Sequence, residues 1–267
     1  MSYNYSFVKG RRNRIIGPSQ LVSAADIFTP TADQKYTLGL ELDMNDGTGR
    51  WFRYCSNSSA AILAKALMNS SAALDAEAIT STNQGASYTQ VAGAETIDIL
   101  QTTGNAWTDD ALIDGWMLIG DGSTAMGDMY MIKANKWVTS DTVMRVTLAD
   151  EGGLRNALVA ADDIVCFQNK CANTIVNGTS QVAGVVGVSL ADVAKSYYYW
   201  AQFRGYTPML VDASDTIVVG EPAGKAGTAG TAGGVGLVAN DGTDAVWGTC
   251  VYPSTTAECA IIDLMLP

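Results

Sequence analysis

Residues 182–222 read VAGVVGVSLADVAKSYYYWAQFRGYTPMLVDASDTIVVGEP, and this stretch decides the fold class. Val182 to Leu190 and Tyr197 to Gly205 are rich in β-branched and aromatic side chains, which suit a pleated, half-buried backbone. In the second run Tyr197, Tyr199, Ala201 and Phe203 alternate with Tyr198, Trp200, Gln202 and Arg204. A period of two sends these sets to opposite faces of a sheet. Met209 to Val211 and Ile217 to Val219 read as two further short strands around the turn-prone 212–215. No interval between these runs is long enough for a crossover helix, so the reading is antiparallel.

The pattern extends outward in both directions. Toward the N-terminus, Lys35 to Leu42 and Arg50 to Cys55 flank the hairpin dipeptide Asp46-Gly47. Trp51 and Arg53 are expected on one face of the return strand, Phe52 and Tyr54 on the other. Thr96 to Leu100, Trp116 to Gly120, Met129 to Ala134, Asp141 to Leu148 and Ile164 to Gln168 continue the series. Toward the C-terminus, Ala245 to Val251 and Cys259 to Leu266 supply the last strands. Between them 223–236 is Gly- and Ala-rich and reads as a flexible loop. One stretch breaks the pattern. Ala60, Ala61, Leu63, Ala64, Leu67 and Met68 fall at helical spacing behind Asn57 and Ser58 as caps, which predicts a short helix near 58–69. Leu154 to Ala161 adds a helical turn.

Roughly twelve to fifteen strands separated by turns imply a mainly β protein with an antiparallel sandwich or barrel-like body, one or two short helices, and an extended N-terminal arm. The expected organisation is an arm over 1–34, a β-rich domain over 35–165 carrying the helix, and a second β-rich domain over 166–267.

Charge narrows the partners. The 267 residues carry 27 acids against 16 bases, a net of −11, and no histidine. Lys9, Arg11, Arg12 and Arg14 lie in the first fourteen residues with no acid among them. Removing those four positives leaves about −15 on the remainder, a basic arm on an acidic body. An acidic body repels nucleic acid and anionic membranes, so neither is an expected partner. No window approaches the ~18 apolar residues of a membrane span, and no apolar stretch follows the basic residues as a secretory signal requires.

Candidate chemistry is sparse. Without histidine the usual general base and the commonest transition-metal ligand are missing, so the expectation is a non-enzymatic protein with no cofactor and no metal site. Acid pairs at Asp109-Asp110, Asp121/Asp128, Asp162-Asp163 and Asp212/Asp215 suit turns better than a glycosidase or calcium centre. Gly220 to Lys225 lacks the spacing and the Ser/Thr of a phosphate loop. The triplets at Asn57, Asn69 and Asn177 match the glycosylation pattern as short motifs do by chance. Cys55, Cys166, Cys171, Cys250 and Cys259 show no CxxC spacing, which favours buried free thiols in a reducing compartment. Tyr197, Tyr199, Trp200 and Phe203 read as alternating aromatics that fill a β core and a subunit contact; the alternative for Tyr197 to Trp200 is a platform that stacks on sugars.

The order of these motifs resembles structural proteins of tailed phages, in particular head decoration (capsid cement) proteins. It is carried by GLELDMNDGTGRWFRYCSNSSAAILAKAL (39–67), GWMLIGDGSTAMGDMYMIKAN (115–135), VTLADEGGLRNAL (146–158), VAGVVGVSL, YYYWAQFRGYTPML and IVVGEP, over about residues 36–266. The polar SNSSA and the loop at 223–236 depart from the pattern. The resemblance implies a virion protein, made in the host cytoplasm, that sits on the outer surface of the capsid and cements neighbouring copies of the major capsid protein. It implies a homo-oligomer, trimer first and dimer second. The arm, with Tyr3, Tyr5 and Phe7 as anchors and Lys9, Arg11, Arg12 and Arg14 as charges, is then the candidate capsid-binding segment. The alternative is a tail, fibre or adsorption protein that binds surface glycans.

Overall fold

The computed structural model describes residues 14–16, 24–44, 47–58, 60–69, 79–81, 86–100, 108–121, 124–139, 143–178, 184–212, 216–225, 232–238, 245–254 and 258–266. Within them the chain is mainly β, and almost every pairing is antiparallel. It divides into two compact units, one of Met1–Ser71 with Lys170–Pro267, the other Ala72–Asn169.

The first unit holds eleven strands: β1 Arg14–Ile16, β2 Glu41–Asp43, β3 Trp51–Ser56, β4 Leu67–Asn69, β11 Ile175–Val176, β12 Val185–Ser189, β13 Tyr198–Leu210, β14 Pro222–Lys225, β15 Val235–Leu237, β16 Val246–Tyr252 and β17 Cys259–Met265. They follow the order β1-β2-β3-β13-β17-β16-β14-β15, with β12 branching from β13 toward β4 and β11. The second unit holds β5 Ile79–Ser81, β6 Thr96–Leu100, β7 Trp116–Asp121, β8 Met129–Thr139, β9 Val143–Leu148 and β10 Asp163–Phe167, ordered β5-β10-β7-β8-β9-β6. Its core gathers Ile97, Ile99, Met117, Ile119, Tyr130, Ile132, Met144, Val146 and Ile164, the inward residues of alternating strands.

Strand β13 organises the first unit, and it is one strand of 13 residues rather than two short ones. Along one edge it pairs with β3 from Tyr198↔Ser56 to Arg204↔Trp51. Along the other it starts on β12, with Ser189↔Ala201 and Val188↔Gln202, then changes to β17 from Arg204↔Met265 onward. The change of partner coincides with a bulge between Gln202 and Arg204 that leaves Phe203 as the extra residue against β3. A bulge bends and twists its strand, which is how one strand serves two sheet segments. The buried Gln202 amide secures the bend by donating to the carbonyls of Arg204, Gly205 and Tyr206 at 3.0, 3.2 and 3.0 Å. Gly205 follows at φ +84, and a Cβ there would lie 2.7 Å from the Gly49 carbonyl oxygen, so only glycine fits.

Both faces of the N-terminal half of β13 are covered. Trp200 packs with Phe52, Tyr54 and Leu42, whereas Tyr199 and Ala201 pack with Cys55, Ile62, Met68 and Val186. Phe52 is fully buried in that layer, a burial worth about 2 kcal/mol.

Several expectations are corrected. The predicted helix near 58–69 does not form. Asn57 is buried, and its Nδ2 donates to the carbonyls of Ala60 and Ala194 at 2.7 and 2.9 Å instead of capping a helix. Ile62 exchanges both backbone hydrogen bonds with Val193, Ala64 N–H goes to Asp192, Lys65 takes φ +70, and Leu67–Asn69 become β4. Partners more than a hundred residues away satisfy these amides, so tertiary pairing overrides an alanine-rich propensity. Leu154 to Ala161 is likewise non-helical, with Leu158 and Gln90 exchanging both backbone hydrogen bonds across an isolated bridge. Lys35 to Leu42 is strand only at its end, and Ile217 to Val219 is not a strand. The flanks of the 223–236 loop pair with each other as β14 and β15.

The division near 165 also moves. Residues 35–71 belong with the C-terminal part, because β3 pairs with β13 and β4 with β12, and 72–169 form the second unit. The described residues of the arm are only partly extended. Arg14–Ile16 add to the sheet edge as a parallel strand on Glu41–Asp43, Ala24–Ile27 make one helical turn, and Thr31 exchanges two backbone hydrogen bonds with Tyr198.

Candidate interaction surface

The C-terminal half of β13 and its neighbours β17 and β16 present one face to solvent. Alternation puts Gly205, Thr207 and Met209 inward and Arg204, Tyr206 and Pro208 outward on β13. On β17, Ala260, Ile262 and Leu264 point inward and Ile261, Asp263 and Met265 outward. The register aligns the outward residues in rows: Arg204 beside Met265, Tyr206 beside Asp263 and then Thr249, Pro208 beside Ile261 and then Tyr252. A second bulge, between Cys250 and Tyr252, leaves Val251 exposed as well. Tyr206, Tyr252 and Met265 are 59%, 64% and 61% exposed.

These side chains form an exposed, largely apolar patch set around one cation and one acid. Arg204 holds its guanidinium 5.7 Å from the Trp51 ring centroid at the margin. The inward neighbours Met209, Ala260, Ile262 and Leu264 belong to the same core as Phe203, which holds the rows from below. Side chains this exposed and aromatic on a fixed backbone are what interface hot spots are made from.

The residues singled out by the sequence are placed differently. Tyr199, Trp200 and Phe203 are buried inside the chain itself and present no surface to a partner; Tyr197 and Tyr198 are half-buried. The Tyr199 hydroxyl is spent on Thr174 Oγ1 at 2.8 Å. Beside Tyr198 a hollow lined by Asp26, Thr31, Lys35, Tyr36 and Tyr54 has free space of about 10 Å³, room for roughly one water and not for a sugar ring. Its rings fill it themselves, with Tyr54 stacked on Tyr198 at 6.0 Å and edge-on to Tyr36 at 5.1 Å. Of the arm candidates, Tyr3, Tyr5, Phe7, Lys9, Arg11 and Arg12 lie outside the described residues, and Arg14 opens β1 in register with Glu41.

The carboxylates serve as local staples. Asp109 accepts from Trp137 N–H at 3.1 Å, Asp162 from Val159 N–H at 2.8 Å, and Asp128 holds Arg155 at 3.0 Å. Among the described residues no three His, Cys, Asp or Glu side chains cluster to hold a metal ion. Asn57 and Asn177 are buried, so their triplets offer no glycosylation surface. The interaction face itself escaped sequence reading, although the alternation of Arg204, Tyr206 and Pro208 against Gly205, Thr207 and Met209 was its available signal.

No family model, curated protein or solved structure matches this chain.

Proposed function

We propose that this chain is a non-enzymatic structural protein of a phage-like particle, a homo-oligomer that decorates and stabilises the capsid by binding neighbouring capsid proteins. The observation that carries the reading is the exposed, rigid face of Tyr206, Tyr252, Met265 and Ile261 around Arg204 and Asp263. Cementing requires contact area on a stiff body, and this face supplies aromatic anchors without a cleft. The motif resemblance over residues 36–266 supplies the kind of particle.

The arm supports the same role. Residues Arg14–Ile16 add by backbone pairing to the edge of the sheet, and the basic residues just before them are suited to an acidic neighbour. A trimer on a lattice three-fold is the first arrangement, a dimer the second.

The test is the copy number of the chain in purified particles, measured by quantitative mass spectrometry against the major capsid protein. A ratio within a few-fold of one is expected. A ratio of a few per hundred moves the protein to the tail and favours an adsorption role; absence from particles overturns both.

A further inference from the structure

Cys55 on β3 and Cys171, just beyond the second unit, are both fully buried in one packed cluster; the Cys55 thiol donates to the Arg53 carbonyl at 3.5 Å and lies against the Cys171 thiol. Four bonds hold the two backbones together. Ser56 N–H donates to the Cys171 carbonyl at 2.9 Å, and Thr174 N–H to the Ser56 carbonyl at 2.8 Å. Asn173 N–H and Thr174 Oγ1 add bonds to Ser56 Oγ and to its carbonyl at 3.0 and 2.9 Å. The contact is therefore built into the pairing and does not rely on two flexible loops.

A charge adjoins it. Arg53, two residues before Cys55 on the same strand, is buried; its Nε donates to Glu41 Oε1 at 3.3 Å, and its Nη1 has no hydrogen-bond partner among the described residues. An unpartnered buried guanidinium N–H is costly and favours an anion nearby. Cys166 offers the contrast: it is equally buried in the other unit, and its thiol is pushed up to about 12 by burial alone.

We propose that Cys55 and Cys171 are a peroxide-oxidised dithiol, a modification site that closes a disulfide within the first unit, between β3 and the segment where the chain returns from the second unit. Contact with the Cys55 thiol, with the charges of Arg53 and Lys170, lowers Cys171 against burial and the Glu41 carboxylate, which raise it; burial pushes Cys55 well above its ordinary value. Cys171 is thus the nucleophile and Cys55 the resolving thiol. The Cys171 thiolate attacks one oxygen of hydrogen peroxide, an S–O bond forms, the O–O bond breaks, and the leaving hydroxide is protonated to water. The Cys55 sulfur then attacks the Cys171 sulfur; the S–S bond forms, the S–O bond breaks, and the hydroxyl departs with the Cys55 proton as a second water. Two thiols and one peroxide give one disulfide and two waters. Peroxide is small enough to reach a buried pair during local opening, where bulkier disulfide oxidants are excluded.

The test treats the folded full-length chain with hydrogen peroxide, alkylates it in denaturant, and maps the peptides under non-reducing conditions. The expected result is a Cys55–Cys171-linked peptide, reversed by dithiothreitol, with Cys171 consumed about tenfold faster than Cys166. In Cys55→Ser, dimedone should trap Cys171 as the sulfenic acid; in Cys171→Ser, Cys55 should remain a thiol. Failure to find the linked peptide in the unaltered protein overturns the proposal whatever the variants do. So does consumption of the partly exposed Cys259 while Cys55 and Cys171 remain alkylatable.

Discussion

The guanidinium of Arg53 lies 3.9 Å from the centroid of the Phe203 ring, a contact produced by the bulge that makes Phe203 the extra residue of its strand. Arg53 Nε also donates to Glu41 Oε1 at 3.3 Å, across the register pair of β2 and β3. A weakly hydrated, planar cation tolerates this apolar setting where an ammonium does not. Arg53→Ala should therefore cost about 3–5 kcal/mol, because it removes a buried cation from both the Glu41 carboxylate and the Phe203 ring. Arg53→Met combined with Glu41→Gln should recover most of the loss. Urea denaturation checks both, and a near-neutral Arg53→Ala would show that the pair contributes nothing.

Gly205 tests the bend. Ala there must hold φ +84 and meet the Gly49 carbonyl oxygen, whereas Gly47 has a similar φ of +77 and open space around it. Gly47→Ala should cost about 1 kcal/mol for the backbone alone. Gly205→Ala should exceed it by at least another ~1 kcal/mol through the clash. Equal losses in chemical denaturation would mean that the close approach has no energetic weight.

In the second unit, buried Asn135 accepts from Leu112 N–H at 2.7 Å and donates to the Thr108 carbonyl at 3.1 Å. Asn135→Leu leaves that buried N–H without its partner, at about 1–3 kcal/mol, while the Thr108 carbonyl keeps the Ala111 N–H at 3.2 Å. The loss should appear as faster amide exchange across β7 to β9, with β13 unaffected.

Tyr206→Ser, Tyr252→Ser and Met265→Ser together should change stability by less than about 1.5 kcal/mol, since each side chain is largely in solvent already. The same triple variant should lose self-association, measured by analytical ultracentrifugation, and particle binding, measured by co-sedimentation. Trp200→Ala is the opposite case. It should cost about 3–5 kcal/mol by emptying a core site while leaving that face intact. A triple variant that assembles and binds normally refutes the interface.

Alkaline stability follows from the buried thiol of Cys166, whose folded-state value is raised from about 9 to about 12. A raised value means that its contribution is fully present below pH 9 and is lost between pH 9 and 12. In that window the unfolded chain ionises while the folded one does not. The decline should approach 1.4 kcal/mol per pH unit from this group. Tyr54 and Tyr199, also raised chiefly by burial, act in the same direction. Cys166→Ala should show a shallower decline above pH 9 in denaturation midpoints, and an unchanged slope would exclude the thiol as a source.

Much of the fold was legible because β-branched and aromatic alternation is a local signal. The strands over 96–100, 116–121, 163–167, 185–189, 246–252 and 259–265 lie where composition and turns put them. The missed elements share one cause. The alanine-rich segment after Asn57 has a real helical period, but its backbone groups find partners at Val193, Asp192, Ser189 and Gly233, which no local window contains. Tyr199 and Trp200 read as core and subunit contact together, and the structure buries both inside the chain. Period two assigns residues to opposite faces, yet it cannot say that both faces of one strand are covered.

By itself the sequence determined the class: a mainly β, antiparallel chain with an acidic body and a basic start, because side-chain period, turn residues and charge are local properties. Tertiary structure alone decided which residues share a unit, where β13 changes partners, that its aromatics are core, and that Tyr206, Ile261, Met265 and Tyr252 form one exposed face. Those outcomes depend on register among strands that range from near neighbours, Tyr252 with Ile261, to partners more than a hundred residues apart, Tyr198 with Ser56, and register is set by the mutual fit of whole sheets rather than by any stretch of the chain.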